Sequence, residues 1–248
     1  MSKPMPLSLK HLPLAVLVSF GLFGAPVQAA KKPVPAPVAQ AEPEPEILDP
    51  LEPLNRGVFM FNEAYDAVIT TPVKFLYTNL LPEPLRRGIG NVFGNLDDVY
   101  IGVNHGLQGQ GNLAGNDFGR VLINTSIGLG GLFDVASDMG MVKGKGDYGV
   151  TLGVWGVGPG PYLVLPVLGV STLRDTVGRG LRIASDPRTY LEPIPGYSLT
   201  GAEYVHVRST NSATEDLISS SSLDKYRFTR SLFLQRRGAL ISAAKQGN

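Results

Sequence analysis

Chemistry at neutral pH needs a nucleophile, a general base or a metal cage, and this sequence is poor in all three. It has 248 residues, no cysteine and three histidines, His11, His105 and His206. The lack of cysteine removes thiolate catalysis, disulfides and thiolate metal sites. Two of the histidines fall in the body of the chain without a spaced carboxylate or thiolate partner, which makes a poor metal site. They read as surface residues or satisfied core residues. Ser171 lies in Gly169-Val170-Ser171-Thr172, without the second flanking glycine of a nucleophile elbow. The run Gly140-Met141-Val142-Lys143-Gly144-Lys145 has the wrong spacing for a phosphate loop, and Gly146 stands where a magnesium-holding hydroxyl belongs. Gly88, Gly90 and Gly94 miss the dinucleotide spacing and follow no strand. The pairs Asp97-Asp98 and Arg174-Asp175 read as a cap or an ion pair before they read as acid–base groups. The expectation is no catalytic residue, no metal site and no cofactor.

Residues 1–29 carry a targeting pattern. Lys3 and Lys10 precede a 12-residue apolar run, residues 12–23, and small residues follow, with Val27 and Ala29 at small-x-small spacing. The run is too short to span a bilayer, which takes about 20 residues. Cleavage after Ala29 would leave 20 basic against 21 acidic side chains, since two of the 22 Lys and Arg lie in the leader. A net charge of −1 excludes a polybasic nucleic-acid binder. Residues 30–48 are rich in Pro and Ala, with too few large apolar side chains to offset ordering entropy, and read as an extended linker. The remaining 49–245 read as a single domain. Only 17% of the residues are charged and 30 are glycine, against about a quarter charged in a typical soluble domain. Part of the surface is therefore expected to face something other than water.

Apolar spacing in the body is mostly helical. Val58, Phe61, Tyr65 and Val68 form one stripe, ended by Thr71-Pro72, which also suits the start of a second helix. Leu85, Ile89, Val92 and Leu96 form the next. Asp97 and Asp98 are expected to cap a further helix running to Leu107, broken by Gln108-Gly109-Gln110-Gly111. Leu122, Leu129, Phe133, Ala136 and Met139 suggest a core-facing helix interrupted by Gly128, Gly130 and Gly131. Thr172 and Asp175 are spaced as a capping box ahead of a helix with Leu173, Val177 and Leu181 on one face. Residues 201–219 read as a polar surface helix. Residues 223–241 read as a basic helix that either lies on anionic lipid or a partner, or sits solvated and balances acidic groups elsewhere.

Residues 148–173 carry no charge over 26 positions, yet they contain Pro159, Pro161 and Pro166 and six glycines. Proline excludes a regular helix, and irregular backbone survives at membrane depth only beside protein or a watered cavity. Two readings stand: a buried hairpin or loop in a soluble core, or a broken, re-entrant element lining a cavity.

The residues also resemble a known family. Asp49-Pro50-Leu51-Glu52-Pro53-Leu54-Asn55-Arg56, followed by Phe59, Phe61, Asn62 and Asp66, is similar to the opening signature of the MlaA (VacJ) family. Asn91, Asn95, Asn104, Gln108, Arg120, Asn124, Asp134 and Ala136 follow in order. Asp147-Tyr148-Gly149, Thr151-Leu152-Gly153, Gly160-Pro161-Tyr162, Leu165-Pro166 and Ser171-x-Leu173-Arg174-Asp175 continue the run, and Tyr226, Arg230 and Arg236 close it. The resemblance implies a mainly α, ring-like assembly of amphipathic helices around a central channel, with the Gly/Pro-rich stretch as an irregular hairpin or re-entrant segment. It implies attachment at the periplasmic face and inner leaflet of a Gram-negative outer membrane. The implied activity is removal of mislocalised phospholipid from the outer leaflet. A trimeric outer-membrane porin and a soluble periplasmic lipid-binding carrier are the implied partners, and nucleic acid is not one. The channel wall is expected along 127–139 and 148–166: Ile127, Gly128, Leu129 and Phe133, then Tyr148, Gly149, Gly153, Gly160, Pro161, Tyr162, Leu165 and Pro166. Two features depart from the family. Ala29-Ala30 stands where an acylated cysteine is usual, so attachment is expected from the embedded body and its partner. Tyr148 and Val150 stand where Phe and Gln are usual. The alternatives are a porin-docking adaptor, or a lipid hydrolase using Ser171, His206 and Asp175.

Overall fold

The computed structural model describes residues 49–190, 193–211 and 224–247. The leader and linker expected over 1–48, and the end of the helix expected over 201–219, lie outside the described residues. The described body is mainly helical and belongs to one compact unit that begins at Pro45.

Helix α1 (Glu52–Tyr65) runs into a π-helical turn (Asp66–Thr70) and then α2 (Thr71–Leu80). The stop expected at Thr71-Pro72 is instead a register change. Pro72 has no N–H, and the Thr71 N–H reaches back five residues to the Asp66 carbonyl, so a widened turn carries the rod past the proline. Helix α3 (Glu83–Leu107) is continuous for 25 residues. Asp97 and Asp98 therefore sit mid-helix and cap nothing, which corrects the expected break. The Gly109 turn, at φ +77°, separates α3 from α4 (Gly111–Ser126). The stripe expected from Leu122 to Met139 is not one helix. Residues 127–134 turn through positive φ at Leu129, Gly130 and Gly131, and only Val135–Asp138 (α5) is helical.

The uncharged stretch resolves into a short helix α6 (Tyr148–Val154) and an antiparallel hairpin, β1 (Tyr162–Leu165) and β2 (Gly169–Thr172), with Tyr162 opposite Thr172. The backbone form is a hairpin, and its turn borders a cavity described below. Thr172 then opens α7 (Leu173–Ser185) through the expected box: its Oγ1 accepts from the Asp175 N–H at 3.2 Å and donates to Asp175 Oδ2 at 2.9 Å. A 3₁₀ turn (Pro187–Tyr190), α8 (Pro193–Thr210) and α9 (Lys225–Lys245) complete the body.

These amphipathic helices are assembled with their polar faces inward. On α4 the buried positions are Ala114, Asp117, Arg120 and Asn124, while Phe118 and Leu122 face out. On α7, Arg174, Asp175 and Gly178 are buried and the apolar stripe Leu173, Val177 and Leu181 is exposed. Helix α3 is mixed inside: it buries Asn95, Asp98, Asn104 and His105 together with Phe93 and Ile101, and exposes Leu85, Leu96, Val99 and Val103. Among the described residues, buried polar side chains outnumber buried apolar ones by 14 to 8.

The inward polar groups are paired, as burial demands. Between α3 and α4, Arg120 binds Asp98 at 2.9 Å and Asp134 at 3.0 Å, and Asp117 Oδ2 lies 2.6 Å from His105 Nδ1. Arg237 of α9 bridges Asp147 and Asp175, each at 2.6 Å. The basic helix is thus docked on the body through its charges. It balances acidic groups, as one of its two readings held, with Arg237 largely covered and Arg227 and Arg236 left exposed. Gly149 and Gly178 let α6 and α7 meet backbone to backbone: a Cβ on Gly178 would lie 3.0 Å from the Gly149 Cα. The apolar core is small. Tyr162, Val164 and Tyr226 pack with Val58, Phe59 and Phe233, and Tyr226 meets Tyr162 and Phe59 edge-on.

Candidate functional site

The signature asparagines of α1 explain how the hairpin is held. Asn55 Nδ2 donates to the Tyr162 carbonyl at 3.0 Å while its Oδ1 accepts from the Val164 N–H at 2.9 Å. Two turns on, Asn62 repeats the clamp with the Leu165 carbonyl and the Val167 N–H, at 2.9 and 2.7 Å. An asparagine amide presents donor and acceptor together and so can substitute for a neighbouring strand. Asp49 anchors the start, accepting from Asn55 Nδ2 and from the Tyr226 hydroxyl. Pro50 and Leu51 form the turn before the helix. Glu52 pairs with Arg56, which reaches Asp224 ahead of α9 at 2.8 Å.

The clamped hairpin turn forms one wall of a cavity of about 790 Å³. Asn62 and Asp66 of the first rod, Val167 and Leu168 of the turn, and Arg179, Arg182 and Ile183 of α7 line it. The 3₁₀ turn adds Asp186 and Arg188, and α8 adds Thr200, Glu203, Tyr204, Val207 and Arg208. The lining mixes apolar and charged side chains. Arg182 bridges Asp97 at 2.6 Å and Glu203 at 3.3 Å, and Arg188 bridges Asp186 at 2.6 Å and Glu203 at 2.7 Å. Arg208 pairs with Asp66. Arg179 is held by backbone carbonyls alone, Leu168 at 3.0 Å and Val170 at 2.9 Å.

A smaller, mainly apolar cavity of about 210 Å³ lies behind Arg182, Asp186 and Arg188, which line both. Leu96, Val99, Tyr100, Val103 and Tyr148 close it. Tyr100 stacks under Arg182 at 4.8 Å and meets Tyr148 edge-on at 5.1 Å. Burial shifts the groups here. It pushes the Tyr100 hydroxyl up to about 12 and raises the Asp97 carboxyl against the pull of Arg182. It lowers Arg179. Asp186 is held down chiefly by its hydrogen bonds from Arg188.

Of the expected channel residues, Tyr148 lines the smaller cavity and the other eleven line neither. Tyr162 is fully buried in the aromatic core and faces no lumen. Gly149 and Gly153 are required by packing: a Cβ on the first would overlap Asp175, and on the second would lie 2.6 Å from Ile241 Cδ1. Gly128 is pressed against the Phe133 and Asn124 carbonyls. Ile127, Leu129 and Phe133 are exposed. Gly160 takes φ +66° against Leu173, and the Pro161 carbonyl accepts from the Leu173 N–H at 3.1 Å. Leu165 pairs with Gly169 at the end of the hairpin and Pro166 is exposed in its turn. The cavity residues on α7 and α8 were not foreseen. Their signal was present as four arginines, 179, 182, 188 and 208, within 30 residues of a weakly charged chain.

The hydrolase constellation is not assembled. Ser171 is buried and bonds Thr176 at 2.9 Å, Asp175 is taken by Arg237, and His206 bonds the Tyr77 hydroxyl at 2.9 Å. No cluster of metal-ligating side chains occurs among the described residues.

A family model described as MlaA lipoprotein matches residues 47–240. The intermembrane phospholipid transport system lipoprotein MlaA of Escherichia coli strain K12 is 35% identical over 207 residues, 79% of this chain and 80% of that protein. An uncharacterized protein of Rickettsia bellii is 33% identical over 210 residues, 81% of this chain and 79% of its own length. A solved structure reported as "Structural basis for maintenance of bacterial outer membrane lipid asymmetry" superposes with a TM-score of 0.70 at 33% identity, covering 78% of this chain and 99% of that one.

Proposed function

The chain belongs to the MlaA lipoprotein family, and from that premise we propose that it is a phospholipid-transport component that maintains outer-membrane lipid asymmetry. On this reading a phospholipid that has strayed into the outer leaflet enters the amphipathic cavity and leaves toward a soluble periplasmic carrier. No bond is made or broken.

The observation that carries the reading is the inverted sorting of side chains. In water, an exposed apolar face on α3, α4 and α7 would be a liability, and a charge-filled interior would be an expensive substitute for a hydrophobic core. In the hydrocarbon of one leaflet both costs reverse. The apolar faces meet acyl chains, and the interior offers a polar route that a headgroup cannot find in lipid. No helix among the described residues is long and apolar enough to cross a membrane, which suits helices lying in one leaflet. The exposed apolar faces also give an attachment that needs no acyl anchor, and the sequence contains no cysteine. The same faces suit the apolar outer wall of a porin trimer, the partner the family implies.

The test is outer-leaflet phospholipid labelling in a deletion strain. Deletion should raise labelled phospholipid and the wild-type chain should restore it. Val207→Trp, which narrows the cavity, should restore it poorly at equal membrane abundance. An unchanged outer leaflet after deletion would defeat the transport reading. Full rescue by Val207→Trp would favour a porin-docking adaptor.

A further inference from the structure

The large cavity is lined by four arginines, 179, 182, 188 and 208, and three carboxylates, Asp66, Asp186 and Glu203, four against three. Three of the arginines have carboxylate partners: Arg182 and Arg188 share Glu203, and Arg208 takes Asp66. Arg179 does not. No carboxylate among the described residues pairs with it. Its two terminal nitrogens each donate to a hairpin carbonyl, at 3.0 and 2.9 Å. Asp175 and Asp147 act on it only through space, and a half-buried guanidinium without a direct ion pair is unfavourable as a structural device, because a neutral donor would serve the two carbonyls as well. A guanidinium has five N–H donors, so three of those on Arg179 are left after the carbonyl bonds. The hairpin that orients it is itself fixed by Asn55 and Asn62. The result is a preorganised cation on the wall of a cavity that Val167, Ile183 and Val207 also line. A planar fork of donors matches a phosphate anion better than a point charge does.

We propose that Arg179 is the phosphate-binding residue of this cavity, holding the phosphodiester of a glycerophospholipid while Val167, Ile183 and Val207 receive its acyl chains. The inference rests on the reading of the cavity as a lipid path and adds what that path recognises. The carboxylate-paired arginines beside it keep the rest of the wall close to neutral, so binding needs one anionic charge, as a phosphodiester carries. Free phosphate shares this chemistry but cannot use the apolar side chains.

The test uses the full chain purified in detergent, loaded with palmitoyl-oleoyl phosphatidylglycerol or with the diacylglycerol of the same chains. Retained lipid is counted by mass spectrometry after gel filtration. Wild type should retain the phosphatidyl lipid about tenfold or more over the diacylglycerol, the scale of a charge-assisted hydrogen bond in a protected site. Arg179→Gln should lose that preference, and Arg179→Lys should keep part of it. Arg179→Gln with the preference intact overturns the proposal. An arm with wild type alone guards against a variant that fails to fold: methylating the phosphate to a neutral triester should cost about the same tenfold, and no loss overturns the proposal. Displacement of the lipid by millimolar inorganic phosphate would show a site for free anion and also overturn it. Wild type that retains neither lipid defeats the lipid path as a whole, whereas equal retention of both defeats only the role of Arg179.

Discussion

Two neighbouring positions on α4 carry opposite expectations, and together they test the inverted sorting. Leu122 is 70% exposed and Asn124 is 3% exposed. If water surrounded the body, Leu122→Glu would change stability by no more than about 0.5 kcal/mol. With that face in hydrocarbon, the variant forfeits some 70% of the roughly 2–3 kcal/mol that burying a leucine contributes. A carboxylate at membrane depth costs roughly 2.5–3.5 kcal/mol more. The sum, about 4–5 kcal/mol, is about a thousandfold loss in membrane partitioning. Asn124→Leu acts inside. Asn124 Nδ2 donates to Asp134 Oδ1 and its Oδ1 accepts from the Ala136 N–H, both at 2.9 Å. Leucine leaves that N–H buried without an acceptor and takes a donor from a carboxylate, together about 3 kcal/mol. At 2–4 °C per kcal/mol for a body of this size, Tm should fall by about 10 °C. Liposome flotation reads the first variant and a circular-dichroism melt in detergent reads the second. Unchanged flotation for Leu122→Glu would refute the reasoning, because that face would then lie in water; a Tm for Asn124→Leu at or above wild type would refute the pairing assigned to the interior.

Other consequences follow from the buried charges. Gly149→Ala places a Cβ against Asp175 Oδ1 and 2.6 Å from Arg237 Nη2; it should destabilise by about 2–3 kcal/mol. Gly180→Ala meets nothing within 4 Å and should stabilise α7 by about 0.5–1 kcal/mol; urea titration in detergent compares the two. Arg120→Met leaves Asp98 only the half-exposed Lys143 at 2.9 Å and takes one of several donors from Asp134; it should cost about 3 kcal/mol, part of it recovered when Asp98→Leu is added, as a double-mutant cycle will measure. Burial alone would raise Asp134, but hydrogen bonds from Ser137, Asn124 and Arg120 outweigh it and hold the carboxyl at about 2, below its ordinary 3.8. Its stabilisation is therefore complete above about pH 4 and lost as pH falls toward 2. Solvent access at Asp134 trims the effect to about 1 kcal/mol. Asp134→Asn should flatten the acid limb of a pH–stability curve by that amount; an unchanged limb would contradict the assignment.

Helix positions were readable wherever periodicity and caps agreed. Thr172-x-x-Asp175 marked the start of α7 to the residue, and the four residues 108–111 marked the end of α3. Boundaries failed where a local signal had a different tertiary use. Asp97 and Asp98 look like caps, but they project from mid-helix to Arg182 and Arg120. Pro72 looks like a stop, but a π turn absorbs it. Helix α4 escaped detection because its periodic positions are Asp117, Arg120 and Asn124, and a search for apolar stripes passes over a helix whose buried face is polar.

The candidate site was harder to read for a related reason. Amphipathic periodicity says that two faces differ but not which one is inside, since an apolar stripe turned to lipid has the same spacing as one turned to a core. The family resemblance puts the glycines of 148–166 at a channel wall, whereas irregular, uncharged backbone at membrane depth requires only protein or a cavity beside it. In the structure most of that backbone borders protein: Gly149 and Gly153 make room for Asp175, Arg174 and Ile241. The hairpin contributes to the cavity only through the turn at Val167 and Leu168, which two α1 asparagines hold in place. The charged part of the lining comes mostly from α7 and α8, whose arginines are separated in sequence and converge only when the chain folds back across the first rod. Clefts of this kind depend on tertiary closure, so no short motif could announce them. What the sequence did carry was four arginines within 30 residues beyond the hairpin, three of which the fold pairs with carboxylates while Arg179 goes to hairpin carbonyls.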